Sequence, residues 1–167
     1  MKDDFDVSKL IKKKRKNSKK KGNKFERDLA TILNEKFDTK DFCRTPGSGA
    51  FATTHTLPEH LRVYGDLITP LNFKYTIESK VGYNKESIIS LFNENSILSQ
   101  MILQARRDGE KSKKLFLLII KQDYQKAIVV SNDNGLESHL NKVLKFNDLI
   151  LFEFDEMITL DRELFFI

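Results

Sequence analysis

The chain has 167 residues, a hydrophobic share of 40% and a formal net charge of +5 at pH 7, as expected for one folded domain rather than a disordered protein. No apolar run approaches the roughly 20 residues that a membrane-spanning helix needs, and a single cysteine excludes an internal disulfide. The charged N-terminus also lacks the apolar stretch of a signal peptide. Together these features predict a cytoplasmic protein.

Positive charge is concentrated near the N-terminus. Ten basic residues and no acidic residue lie between Lys9 and Lys24, so the rest of the chain is net acidic. This run favours a polyanionic partner, because each neutralised phosphate releases counterions. A solvated, disordered tail is the alternative, and the run does not distinguish DNA from RNA. We expect residues 1–21 to form a flexible basic arm and residues 22–167 a single domain.

The first predicted element after the arm is an amphipathic helix from Asn23 to Phe37, because apolar residues recur there at helical spacing. Asn23 is a candidate N-cap with Glu26 three residues later, as in a capping box. Residues from Phe42 to Pro58 are rich in Gly, Pro, Ser and Thr and predict a loop.

Strand patterns dominate the remainder of the chain. Val63–Ile68 and Phe73–Val81 predict an antiparallel hairpin. Helical patterns follow, with the second helix capped by Ser96 and closed by Gly109. Thr159 is a candidate cap for a short last helix. The further ranges are helices at Ser87–Phe92 and Ser96–Arg107, strands at Lys114–Ile120, Ala127–Ser131 and Leu149–Phe154, and a turn at Asn132–Gly135. This order predicts an α/β fold with a central mixed β-sheet flanked by helices.

The second strand of the predicted hairpin carries a carboxylate and an amine. Alternation places Glu78 and Lys80 on one face of this strand, and Asp66 on the preceding strand can converge on Glu78. Two carboxylates beside a lysine suit a hard cation such as magnesium, which can activate water for phosphodiester hydrolysis. The alternative is a surface ion pair between Glu78 and Lys80 without catalytic significance.

Glu26 is a further candidate from helical spacing. It lies at the N-terminal end of the apolar stripe formed by Leu29, Ala30, Leu33 and Phe37, so its carboxylate can reach over the sheet. A role as helix cap alone is equally compatible with this position.

In this order, Glu26, Asp66 and Glu78-Ser79-Lys80 resemble the PD-(D/E)xK nuclease superfamily. The surrounding segments Lys21–Leu29, Arg44–Phe51 and Tyr64–Leu67 resemble the archaeal and phage-encoded Holliday-junction resolvases within it. The helix after the acid-x-Lys strand also carries glutamines, Gln100 and Gln104, where such nucleases often have one. The resemblance covers about residues 22–130. Gly65 stands where many members have proline, and the stretch from Phe51 to Leu61 is longer than expected.

The resemblance implies a restriction-endonuclease-like core and a Mg²⁺-dependent DNA endonuclease, with Mn²⁺ able to substitute. Asp66, Glu78 and the Ser79 carbonyl would bind the metal, Lys80 would act on the attacking water, and Glu26 would complete the metal-water shell. Ser48 would lie at the scissile phosphate. The residues implied in DNA binding are Lys12, Lys13, Lys14, Arg15, Lys16, Lys19, Lys20, Lys21, Lys24, Arg27 and Arg44.

The resemblance favours branched DNA as the substrate and a homodimer as the active form. The expected location is the cytoplasm, including that of a phage-infected host cell. A duplex nickase or an end-processing nuclease would use the same site. A nucleic-acid-binding protein without catalysis is the alternative from a different class, and the intact set of Glu26, Asp66, Glu78 and Lys80 disfavours it.

Overall fold

A computed structural model describes residues 18–46 and 63–167 as helices packed on a seven-stranded sheet with the strand order β1-β2-β3-β4-β5-β7-β6. All neighbouring strands are antiparallel except β3 and β4, which are parallel. The predicted mixed sheet flanked by helices is therefore confirmed. The strands are β1 Cys43–Arg44, β2 Leu67–Ile68, β3 Tyr75–Val81, β4 Leu115–Lys121, β5 Ile128–Ser131, β6 Leu144–Phe146 and β7 Leu149–Glu153. The α-helices are α1 Ser18–Phe37, α2 Ile97–Ser112 and α3 Phe154–Met157, and 3-10 helices cover Ile88–Phe92, Asn134–His139 and Arg162–Leu164.

The crossover from β3 through α2 to β4 organises the sheet. Two parallel strands need such a connection, and here they pair in register from Tyr75 opposite Leu115 to Val81 opposite Lys121. The predicted hairpin is also present, since Leu67 of β2 pairs antiparallel with Ile77 of β3.

The sheet has a hydrophobic core on each face. The first contains Leu29, Leu33 and Phe37 of α1, together with Phe165 near the C-terminus. The second contains Leu98, Met101, Ile102 and Ala105 of α2. Strand β4 contributes alternate residues to both cores, which explains its continuous apolar sequence. Helix α2 thus flanks the sheet as predicted, and the C-terminal Phe165 belongs to the core.

Both long helices exceed their predicted bounds. Helix α1 begins by Ser18, so Asn23 is not its N-cap, and Lys19 to Lys21 are helical rather than part of a flexible arm. Lysine is a good helix former and prolongs α1 toward the N-terminus. Helix α2 continues through Gly109 to Ser112 and ends at Lys113, whose φ is 56°. A Cβ at Gly109 would lie 2.9 Å from the Lys114 carbonyl oxygen, so this glycine permits close packing instead of ending the helix.

Several short elements differ from the prediction. The strand expected at Val63–Ile68 contains only Leu67 and Ile68, and Asp66 occupies a bend before it. Strand β1 lies inside the predicted loop, and β6 was not predicted. Thr159 does not cap the last helix, because its hydroxyl donates to the Glu156 carbonyl while Asp161 occupies the cap position.

Candidate active site

Glu78 is a buried acid on β3, with 3% of its surface exposed. Its Oε1 accepts hydrogen bonds from Lys80 Nζ at 2.5 Å and from Gln104 Nε2 at 2.6 Å. Lys80 Nζ also donates to Gln104 Oε1 at 3.2 Å, so the three side chains form a closed ring of contacts. Strand alternation brings Glu78 and Lys80 to one face, and α2 places Gln104 over them. These contacts compensate a carboxylate that would otherwise be costly to bury.

The environment shifts the protonation of both charged groups. Burial and the charge of Asp66 together raise the pKa of Glu78 to about 7, against the opposing effect of Lys80. Burial alone would lower the pKa of Lys80, but the charge and hydrogen bond of Glu78, with smaller effects of Asp66 and Tyr83, raise it. Groups with strongly shifted pKa values and a specific charged partner are typical of catalytic sites.

Asp66 is fixed against the same strand. Its Oδ2 accepts from the Ser79 backbone N–H at 2.8 Å and from the Ser79 hydroxyl at 3.2 Å, while its own N–H donates to the Ile77 carbonyl at 2.8 Å. Gly65 makes this approach possible. Its φ is +82°, and a Cβ there would lie 2.5 Å from the Ile77 carbonyl oxygen. Glycine alone adopts this conformation without that clash.

The donor set at Asp66 and Glu78 suits a hard divalent cation. Within the described ranges, each carboxylate uses one oxygen for hydrogen bonds, which leaves Asp66 Oδ1 and Glu78 Oε2 as candidate ligands. The backbone carbonyls of Ile77 and Ser79 point to the same edge of β3, because the two residues are two positions apart on one strand. The pairing with β2 is at Ile77, so the edge at Ser79 is not covered by β2. Magnesium prefers such oxygen ligands and retains several waters. No group of three or more His, Cys, Asp or Glu side chains able to hold a metal is present in residues 18–46 and 63–167.

Glu26 pairs with Arg44 in this structure. It is 8% exposed and accepts a hydrogen bond from Arg44 Nε, while Arg44 Nη2 donates to Asn23 Oδ1 at 3.0 Å. The predicted buried stripe of α1 is confirmed, and Glu26 belongs to it as an interior residue rather than a cap. Glu26, expected at the metal-water shell, and Arg44, expected at the DNA backbone, thus form one ion pair between α1 and β1.

The predicted DNA-binding residues of α1 are solvent-exposed, and some of them form ion pairs. Lys21 pairs with Asp123, and Lys24 pairs with Asp28 at 2.6 Å. The exposed basic residues of the helix are Lys19, Lys20, Lys21, Lys24 and Arg27. Ser48 and the predicted contacts from Lys12 to Lys16 lie outside the described residues.

Two residues of α2 refine the sequence-based prediction. Of the two glutamines noted from the resemblance, only Gln104 joins the Glu78 site, while Gln100 Nε2 donates to the Asn95 carbonyl at 3.4 Å. Asp108, one turn after Gln104, was not predicted. Asp108 is half-buried. Burial, together with the charge of Asp66, raises its pKa, although the charges of Lys111 and Arg107 lower it in part. The one-turn spacing between Gln104 and Asp108, which places both on one face of the helix, is the sequence feature that could have revealed Asp108.

Comparison with known protein families identifies the family of this chain. The model of the family described as "Phage putative PDDEXK endonuclease" matches residues 17–163. The chain belongs to this phage PDDEXK endonuclease family. No curated protein and no solved structure matched the chain.

Membership of the phage PDDEXK endonuclease family confirms the predicted superfamily, the restriction-endonuclease-like fold and the nuclease class. The family match does not test the resemblance to Holliday-junction resolvases in particular. Divalent metal dependence is general in PD-(D/E)xK nucleases, and a nucleic acid is the substrate class that the family implies. In the part of the chain that the structure describes, no helix has the length and apolar character needed to cross a bilayer.

Proposed function

We propose that the protein is a Mg²⁺-dependent endonuclease that hydrolyses phosphodiester bonds in DNA, with Mn²⁺ able to replace Mg²⁺. The observation that carries the proposal is the ring of contacts among Glu78, Lys80 and Gln104 beside the anchored Asp66, in a chain of the phage endonuclease family. A buried acid with a pKa of about 7 is costly to the folded protein unless a cation or a proton compensates it.

The roles of the residues follow from their chemistry. Asp66, Glu78 and the Ser79 carbonyl would hold the cation, which when bound neutralises charge on the phosphoryl oxygens and acidifies a coordinated water. Lys80 lies beside Glu78 and would orient the attacking water or stabilise the developing negative charge. Gln104 holds both side chains in place.

Phosphate binding is assigned to the basic residues. Arg44 would contact the DNA backbone while paired with Glu26, and the exposed cations of α1 and the run from Lys12 to Lys16 would extend the contact. The proposed position of Ser48 at the scissile phosphate and the proposed contribution of Glu26 to the metal-water shell remain predictions from the resemblance.

The preferred substrate within this proposal is branched DNA, including four-way junctions, cut by a homodimer in the cytoplasm. Paired cuts across a junction require two active sites related by two-fold symmetry, which a homodimer supplies. The basic surface fits this substrate because phosphate contacts read shape rather than sequence.

The test compares a labelled four-way junction with a linear duplex of matching sequence, each with Mg²⁺, with Mn²⁺ and with chelator. We expect metal-dependent paired cuts near the branch point, little duplex cleavage, and no cleavage by Glu78→Gln. Glu163→Gln is the matched control, because Glu163 is exposed near the C-terminus. Equal cutting of both substrates would reject the junction preference, and cleavage by Glu78→Gln would reject the site.

A further inference from the structure

Two turns lie side by side at the carboxyl ends of β3 and β4, formed by residues 82–86 and 122–126; we call them the paired turns. Their proximity follows from the parallel register, in which Val81 is opposite Lys121. The Gly82 N–H donates to the Lys121 carbonyl at 2.9 Å and continues the pairing past the strand ends. The two turns therefore begin at the same level of the sheet.

Side-chain hydrogen bonds join the paired turns. Asn84 Nδ2 donates to Asp123 Oδ2 at 2.8 Å, and the Asp123 N–H donates back to Asn84 Oδ1 at 2.8 Å. Gln122 Nε2 donates to the carbonyls of Tyr83 and Glu86, both at 2.8 Å. Because these bonds fix one turn on the other, the backbone that carries the exposed side chains is ordered before binding, which reduces the conformational entropy lost on binding.

Each turn exposes one tyrosine in left-handed backbone. Tyr83 has a φ of 55° and is 45% exposed, and Tyr124 has a φ of 61° and is fully exposed. Such backbone favours Asn, Asp and Gly, and a bulky residue there is uncommon. Neither the backbone conformation nor core packing therefore accounts for a tyrosine at either position, and both rings are accessible to an external partner.

The surroundings indicate what that partner is. Tyr83 follows Lys80 by three residues, so their Cα atoms are at most about 11 Å apart. On the other side, Lys21 of α1 pairs with Asp123, which brings the basic end of α1 to the paired turns. Exposed aromatic rings between a cationic helix end and a nuclease site are the features that bind single-stranded nucleic acid by stacking.

We propose that Tyr83 and Tyr124 stack on unpaired bases of the DNA strand whose phosphate occupies the Glu78 site. The paired turns then select DNA with unstacked bases next to the cut, such as a branch point or a single-stranded flank. This inference rests on the proposed nuclease function and specifies its substrate. It also gives the preference for branched DNA a physical origin, because a continuous duplex presents no free base face to the rings.

Variants can remove the rings without straining the turns. Asparagine tolerates left-handed backbone, so the double variant Tyr83→Asn/Tyr124→Asn keeps the turns while it removes stacking. The double variant Tyr83→Phe/Tyr124→Phe retains both rings. Phe92→Asn is the matched control, because Phe92 is also exposed but its ring packs 5.4 Å from that of Phe146, on the edge strand farthest from β1.

The experiment measures DNA affinity in chelator and cleavage in Mg²⁺, using a junction with 2-aminopurine at an unpaired branch-point position and a matched duplex. We expect the asparagine double variant to bind the junction about 10- to 100-fold more weakly and to lose the change in 2-aminopurine fluorescence. Duplex affinity should stay constant, and the phenylalanine double variant and Phe92→Asn should behave as wild type.

Other outcomes separate this proposal from the proposed function. Unchanged junction binding by the asparagine double variant would overturn the stacking role, even if the wild-type protein cleaves DNA. An equal loss of junction and duplex affinity would also overturn it, because selection of unpaired bases would be absent. A tyrosine-dependent fluorescence change without any cleavage would support the stacking role and reject the nuclease.

Discussion

The α1 and β3 regions each bury a glutamate against a cation, and they do so with different cations. Glu26 of α1 is 8% exposed and pairs with Arg44, whereas Glu78 of β3 is 3% exposed and pairs with Lys80. Arginine keeps its charge at any accessible pH and can hold two partners at fixed geometry, while lysine carries a compact ammonium group, whose charge Glu78 stabilises at Lys80. The first pair therefore suits phosphate recognition by a planar guanidinium, and the second suits stabilisation of developing negative charge beside the candidate metal ligand Glu78.

The largest expected effect comes from exchanging the cations. Lys80→Arg should lower the rate of cleavage at saturating DNA by about 100-fold or more, since a preorganised donor that stabilises developing negative charge contributes that much. Arg44→Lys should instead weaken DNA binding by about tenfold through the loss of a charge-assisted hydrogen bond, with kcat nearly unchanged. Single-turnover cleavage across a DNA concentration series measures both. Similar losses in kcat for the two variants would contradict this division of roles.

A smaller effect concerns the dependence of stability on pH. An acid whose pKa is raised by folding destabilises the folded state once it ionises, so the metal-free protein should lose stability as pH rises from about 4.5 to 7. Burial places the pKa of Glu78 at about 7, which corresponds to a loss of about 3 kcal/mol over that window.

Urea unfolding in chelator at several pH values measures this loss, and Glu78→Gln should flatten the profile. A steep slope that persists in Glu78→Gln would assign the titration to another group. Added Mg²⁺ should stabilise the wild-type protein more at pH 7.5 than at pH 5.5, since a proton and a cation compete for Glu78.

The smallest effects concern the neutral side chain that supports each pair. Gln104→Leu should lower kcat by about tenfold, with KM nearly constant, because Glu78 and Lys80 lose the amide that holds both. Asn23→Leu should lower the free energy of unfolding by about 1 kcal/mol and leave kcat unchanged, because it removes only a hydrogen bond to Arg44. A loss of kcat in Asn23→Leu would place Arg44 in the chemical step.

The sequence predicted the lysine pair better than the arginine pair, for a physical reason. Strand alternation relates Glu78 to Lys80 within one element, and the hairpin relates both to Asp66. The contact between Glu26 and Arg44 joins a helix to a two-residue strand, and so short a strand has no periodicity to recognise. Strand β6 was missed for the same reason. Gln104 was noted through family resemblance alone, because no local pattern relates a helix position to a strand across a crossover.

The crossover that forms the sheet also determines when the candidate site can exist. Gln104 and Glu78 are 26 residues apart, and the chain passes through α2 between β3 and β4. Non-local pairing of this kind is slow compared with the formation of a helix or hairpin, because chain entropy is lost before the contacts form. Local pairing can therefore bring Asp66, Glu78 and Lys80 together early, whereas Gln104 joins them only with the crossover helix. The last step in forming the candidate site would thus be the arrival of Gln104, which closes the ring of contacts around Glu78.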